Sequence, residues 1–330
     1  MRHLKSISSM ARALTAAFVL GLAAVAAQPA LAWTDKPVKI IIPAPPGGSI
    51  DVVARIFAEQ LQADTGINAI VEYKPGAGGA IAVQALRAAP ADGLTLMLTS
   101  SNVLVEIPHV MKTGFDPLKD VKPVAPVARG ALVLVANMSV PAQDVQSFIA
   151  YAKANQGKLS FATYSAGTVS HYSGLILNQK AGLDMQHIPF AGSPPALVQV
   201  MGGQIPIMFD GMATSLPQIK AGKLRALGVA SSSRSTHLPQ VPTLLEQGFP
   251  EINYGGWFGF IANSSMPDEL VARINAAIIK SAASPKLAEK LVQSGLESNV
   301  PMTPAQMAQL IKTDFERNAA TVKTFDIKLN

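Results

Sequence analysis

Four loops carry residue types that could do chemistry. The first is Pro43-Ala44-Pro45-Pro46-Gly47-Gly48-Ser49-Ile50-Asp51. Prolines stiffen it, and Gly47 and Gly48 let backbone N–H groups approach a ligand closely. Ser49 and Asp51 sit where a helix should begin. A helix start offers unpaired N–H donors and partial positive charge, which suits a carboxylate or phosphate. The same two residues could equally serve as an ordinary cap. The second loop, Lys74-Pro75-Gly76-Ala77-Gly78-Gly79, looks like a dinucleotide fingerprint, but Ile81 stands where its third small residue belongs. It reads as a tight turn. In the third, Thr163 to His171, the residues Ser165, Gly167 and Thr168 could aim donors at an anion. Ser170 and His171 suggest a nucleophile and base, yet adjacent helical residues point about 100° apart. His171 reads better as a packed helix histidine. The fourth group is Pro189-Phe190-Ala191-Gly192-Ser193 with Phe209-Asp210-Gly211. Asp210 could accept from a ligand or cap the next turn. Ser100 and Ser101, after another strand, could add hydroxyl donors.

Other chemistries find no support. The chain of 330 residues has no cysteine, which removes disulfides, thiolate metal sites and a cysteine nucleophile. The histidines at 3, 109, 171, 187 and 237 are scattered and form no His-Glu-x-x-His helix, so no metal and no cofactor is expected. The formal charge is +6, but Arg2, Lys5 and Arg12 account for half of it. A net of +3 without Lys/Arg runs argues against nucleic acid. No Gly-x-Ser-x-Gly elbow or Ser-x-x-Lys pair is present.

The elements that must position these loops alternate. Residues 1–32 read as an export signal: a basic start, an apolar run over 13–27, and Ala30-Leu31-Ala32 before a cut. The run is short of the ~20 residues a spanning helix needs. Apolar patterning predicts strands at 38–43, 67–73 and 94–99, with helices at 49–64 and 80–89 between them. This order implies a parallel sheet covered by helices. The rhythm restarts with a strand at 131–136 and a helix at 144–155. It continues as strands at 159–163, 185–190, 206–210 and 224–230, with helices at 168–181, 194–201 and 215–221. After a strand at 257–261 the tail reads as helices only, at 267–283, 285–294 and 303–318. The expected fold is α/β: domain 1 from 33–130 and 250–330, domain 2 from 131–249, each a mainly parallel sheet flanked by helices. Ligands in such sheets sit beyond the carboxyl ends of the strands.

The ordered series of motifs resembles the Bug family, the periplasmic solute-binding proteins of tripartite tricarboxylate transporters. The match starts at Pro43 to Asp51 and Lys74 to Gly79. It continues through Ala91-Asp92-Gly93-Leu94-Thr95-Leu96, Phe115-Asp116-Pro117-Leu118-Lys119-Asp120, and Gly167-Thr168 with His171. Ala221-Gly222-Lys223-Leu224-Arg225-Ala226-Leu227, Pro242-Thr243, Glu246-Gln247-Gly248 and Trp257 complete it. The resemblance implies a two-domain periplasmic binding protein (venus flytrap, type II) without catalysis. It implies a small carboxylate held between Ala44, Gly47, Gly48, Ser49 and Asp51 on one side and Ser165, Gly167, Thr168 and His171 on the other. The partners implied are membrane transporter subunits, and a monomer is the simplest form. Family members often carry Arg or Lys where this chain has Ala191, which argues against a highly charged ligand such as citrate and for a monocarboxylate, dicarboxylate or aromatic carboxylate. The rival expectations are an exported hydrolase using Ser165 or Ser170, and a ligand-presenting partner of a sensor kinase.

Overall fold

The computed structural model describes residues 32–298 and 300–329; the expected export signal lies outside them except for Ala32. Among the described residues no helix is long and apolar enough to cross a membrane.

The first half is built from β1 (Val38–Ile42), α1 (Ser49–Thr65), β2 (Ala69–Tyr73), α2 (Ala80–Ala88), β3 (Thr95–Ser100) and the single turn α3 (Ser101–Val105). β1 pairs in parallel with β2 and with β3. Ile40 and Ile42 of β1 are buried on one face and Ile41 on the other, so the strand needs helices on both sides. α1 supplies one of them with a stripe of Ile50, Val53, Ala54, Phe57 and Leu61. It stops at Gly66, whose φ of 76° is a left-handed cap.

β4 (Val121–Asn137) then leaves the first half and enters the second as one strand of 17 residues. The expected strand began only at 131. Pro123 and Pro126 hid the rest, because proline interrupts a strand pattern. The structure accommodates both through register shifts against the later strand Gly255–Asn263, between Pro123 and Ala125 and between Pro126 and Ala128. The second half repeats the parallel plan with α4 (Val145–Ala154), β5 (Ser160–Thr163), α5 (Val169–Ala181), β6 (Gln186–Pro189), α6 (Ser193–Met201), β7 (Ile207–Gly211) and α7 (Met212–Lys220). β5 pairs in parallel with β6 and β7. β8 (Leu224–Ala230) closes this sheet antiparallel to β4.

β9 (Gly255–Asn263) returns to the first half, antiparallel to both β3 and β4. The parallel triplets β2-β1-β3 and β6-β5-β7 are thus linked by antiparallel strands in the order β2-β1-β3-β9-β4-β7-β5-β6. The tail forms α8 (Asp268–Ala282), α9 (Pro285–Gln293) and α10 (Pro304–Thr324). It also contains a strand that the sequence reading missed: β10 (Glu297–Ser298), antiparallel to Ala128 and Arg129 of β4. Two residues are too few for a period-2 pattern. α10 runs beyond its expected end at 318. Its Met307 and Ile311 pack on the first half, and Val322, Phe325 and Ile327 at its C-terminal end pack on the second.

Packing between sheet and helix is tight in the second half. A Cβ added to Gly174 of α5 would fall 2.1 Å from the ring of Phe161, which is fully buried on β5. Gly174→Ala should therefore cost about 1–3 kcal/mol by overpacking, read as a fall in Tm of roughly 2–10 °C.

Candidate functional site

A parallel strand passes into its following helix at its carboxyl end, so each triplet sends three helix starts toward the same edge. The two edges face one another across a cavity of about 410 Å³. Four of the helices that begin there have glycine at the cap position: Gly48 for α1, Gly79 for α2, Gly192 for α6 and Gly211 for α7. All four glycines line the cavity. None of these helices has a side-chain cap. α4 and α10, whose starts lie elsewhere, carry full capping boxes from Asp144 and Thr303. Glycine also permits the halves to approach. A Cβ on Gly211 would sit 2.6 Å from Ser49 Oγ, and one on Gly192 3.0 Å from Pro45 Cγ.

The wall contains no Asp, Glu, Lys, Arg or His among the described residues. It combines Ser49, Ser100, Ser101, Asn102 and Ser165 with Leu132, Phe190, Met212, Trp257 and Phe258. Trp257, which borders the cavity, donates its indole N–H to Asp314 Oδ2 at 3.0 Å. Helix ends and hydroxyls can thus hold an anion here, while the rest of the wall suits apolar surface.

The residues singled out from the sequence divide into two sets. Ala44, Gly48, Ser49, Ser100, Ser165 and Ala191 border the cavity. Asp51, Gly167, Thr168, His171 and Asp210 are buried outside its wall and brace the loops, and Gly47, which is exposed, also lies outside the wall. Asp51 is buried: its Oδ2 accepts from Gly47 N–H at 2.8 Å, and its Oδ1 accepts from Arg55 Nε and Tyr73 Oη, both at 2.9 Å. Thr168 Oγ1 donates to the Ser165 carbonyl at 2.8 Å, and Gly167 N–H donates to His171 Nδ1 at 3.3 Å. Asp210 is fully buried and accepts from Ser193, Thr214 and Ser215 at 2.5, 2.6 and 2.7 Å. It ties the end of β7 to the starts of α6 and α7. Burial raises its pKa, against the pull of these three hydroxyls.

Ser170 and His171 do not form a catalytic pair. Ser170 Oγ is buried and donates to the Phe209 carbonyl at 2.5 Å. His171 stacks on His187 with ring centroids 3.8 Å apart. Ser165 Oγ donates to the Ala166 carbonyl at 3.2 Å.

Two features of the site had escaped the sequence reading. The turn from Pro75 to Gly79 lines the cavity, although its spacing marked it as a turn alone. Glu106, just after α3, has a buried carboxyl whose Oε2 accepts from Val169 N–H, the first of α5, at 2.8 Å. It caps a helix of the opposite half from 63 residues away, and no local pattern announces such a cap. Burial pushes its pKa up to about 8, although the hydrogen bonds from Val169 and Ser101 pull the other way.

The histidine pair has a consequence for stability. Burial, with His187 adding to it, lowers the pKa of His171 to about 3; burial lowers that of His187 to about 4. Both are neutral when folded, whereas the unfolded chain takes up protons near the ordinary value of 6.5. Their contribution is complete above that value and is lost as pH falls toward the folded values. The Tm should therefore drop between about pH 6.5 and about pH 4. His187→Phe, which keeps a ring against His171, should flatten that drop in melts across the same range.

Comparison with known proteins agrees with this architecture. Residues 53–327 match the family described as tripartite tricarboxylate transporter family receptor. The chain is 34% identical to protein BugT of Bordetella pertussis over 299 residues, covering 90% of this chain and 91% of that protein. Among solved structures it superposes on MatC from Rhodopseudomonas palustris with bound malate, with TM-score 0.82 and 29% identity, over 88% of this chain and 100% of that one. It also superposes on an R. palustris protein with adipate, with TM-score 0.86 and 26% identity, over 90% and 99%.

Proposed function

The chain belongs to the tripartite tricarboxylate transporter receptor family, and from that premise we propose that it is a periplasmic receptor for a small carboxylate, which it delivers to a tripartite tricarboxylate-type membrane transporter. In this reading residues 1–32 are removed after Ala32 on export. Residues 33–130 with 250–330 form one lobe and 131–249 the other. The protein works as a monomer and catalyses nothing.

The observation that carries the proposal is the convergence of glycine-capped helix starts on an uncharged cavity. The first N–H groups of a helix have no partner within it. Turned toward the cavity, they form charge-assisted hydrogen bonds to a carboxylate without a buried cation of their own. Ala44, Gly48, Ser49, Ser100, Ser165 and Ala191 meet the ligand. Gly47, Asp51, Gly167, Thr168, His171 and Asp210 hold the loops that present them. Ligand bridges the lobes, so loading favours the closed arrangement that the membrane partner reads.

A ligand that binds only the folded state stabilises it by RT ln(1 + [L]/Kd), about 2.7 kcal/mol at a hundredfold excess over Kd. Protein unfolded, dialysed and refolded to strip bound solute should melt higher with at least one class of small carboxylic acid. The two tryptophans are Trp33 and Trp257, so in a Trp33→Phe background the same acids should change the Trp257 emission. No melting shift and no emission change with any acid would overturn the carboxylate reading.

A further inference from the structure

The cavity meets five helix starts of useful length, and they are not equivalent. α5 brings Val169 to the wall, but its first N–H is already taken by Glu106. The same carboxyl reaches Ser101 Oγ, a 3.4 Å contact through Oε1, and Ser101 is also part of the wall. Glu106 is only 3% exposed, and its carbonyl accepts from Tyr172 Oη of α5 at 2.9 Å. It thus comes from the first half and is fastened to the second. α6 is depleted in another way. Pro194 and Pro195 fall in its first turn and remove two donors, while the Ser193 hydroxyl is spent on Asp210. On the second half, α7 is left with a start that neither a carboxyl nor prolines have blocked. α1 faces it directly, with Ser49 against Gly211. On the first half, the first N–H of α2, that of Ala80, is bonded to the Ala77 carbonyl, so the free donors are gathered where α1 and α7 meet. The remainder of the wall offers Ile107, Leu132, Phe190, Trp257 and Phe258, with the Asn102 amide and the hydroxyls of Ser100 and Ser165, which already donate to Asn102 Oδ1 and the Ala166 carbonyl.

We propose that Glu106 is the selectivity element of this receptor: by filling the α5 start with an internal carboxyl, it leaves room for one ligand carboxylate and restricts the ligand to an acid with a single charged group and an apolar body. The inference rests on the carboxylate-receptor reading above and narrows it. A second carboxylate on the ligand would be desolvated against an apolar wall with no cation beside it. An ammonium group would be equally stranded, since no acidic side chain borders the cavity among the described residues. Glu106 occupies the Val169 donor whether or not it carries a proton, so the restriction does not depend on its charge.

Matched acids test this by calorimetry on the purified, refolded protein. Hexanoate, adipate and norleucine share a chain length and differ by one charged group, as do benzoate and terephthalate. The singly charged member of each set should bind tighter by on the order of a hundredfold. Glu106→Ala frees the Val169 N–H and should reduce the hexanoate-to-adipate affinity ratio at least about tenfold. Glu106→Gln keeps an acceptor oxygen there and should preserve the ratio. A merely structural role would lower both affinities together and leave the ratio alone. Adipate or norleucine binding as tightly as hexanoate would overturn the selectivity and leave the receptor reading standing. Silence with every acid would overturn both. An unchanged ratio in folded Glu106→Ala would overturn the role given to Glu106; if that variant fails to fold, the wild-type ratios decide the ligand class.

Discussion

Parallel pairing of strands is the constraint from which the rest of this molecule follows. Two parallel neighbours cannot be joined by a tight turn, so the chain must cross back through a helix. Each strand of β2-β1-β3 and β6-β5-β7 therefore ends at the same edge as the next helix begins. When β4 and β9 carry the chain between the sheets, those edges face each other. The cavity wall is then made of helix starts by topology, before any side chain is chosen. Glycine at Gly192 and Gly211 suits that geometry twice. At Gly211 it leaves the start of α7 without a side-chain cap, and at both positions it lets Pro45 and Ser49 of the opposite half come close.

The polar work of the site is divided by depth. At the surface of the cavity are backbone groups, hydroxyls and apolar side chains. The ionisable residues lie one layer back and are spent on the protein itself. Asp51 holds the Gly47 N–H, Asp210 gathers three hydroxyls, and the stacked His171 and His187 are held neutral by burial. Loops fixed in this way lose little freedom when a ligand arrives, which is the advantage of a prepared site. Glu106 belongs to the same layer, but it joins the two halves rather than bracing one loop.

Much of the fold was legible because periodicity is local. A strand such as β1 or a helix such as α1 writes its buried face into residues a few positions apart. The loops at Pro43 to Asp51 and Thr163 to His171 were legible as well, since glycine and proline declare a tight passage from strand to helix. Part of one strand and the whole of another escaped for physical reasons. Pro123 and Pro126 break the pattern of β4, and the bulges that accommodate them exist only once β9 is beside it. β10 is too short to have a pattern.

The sequence by itself determined most of the strands and helices, and where the loops between them tighten. The tertiary structure alone decided which loop residues face the cavity and which stand behind it. Ser49 and Asp51 are two positions apart on one helix turn, yet one lines the cavity and the other is buried against Arg55 and Tyr73. Glu106 and Val169 carry no mark of each other. Backbone conformation depends on near neighbours and leaves a local trace, whereas a hydrogen bond across 63 positions exists only after both halves have packed.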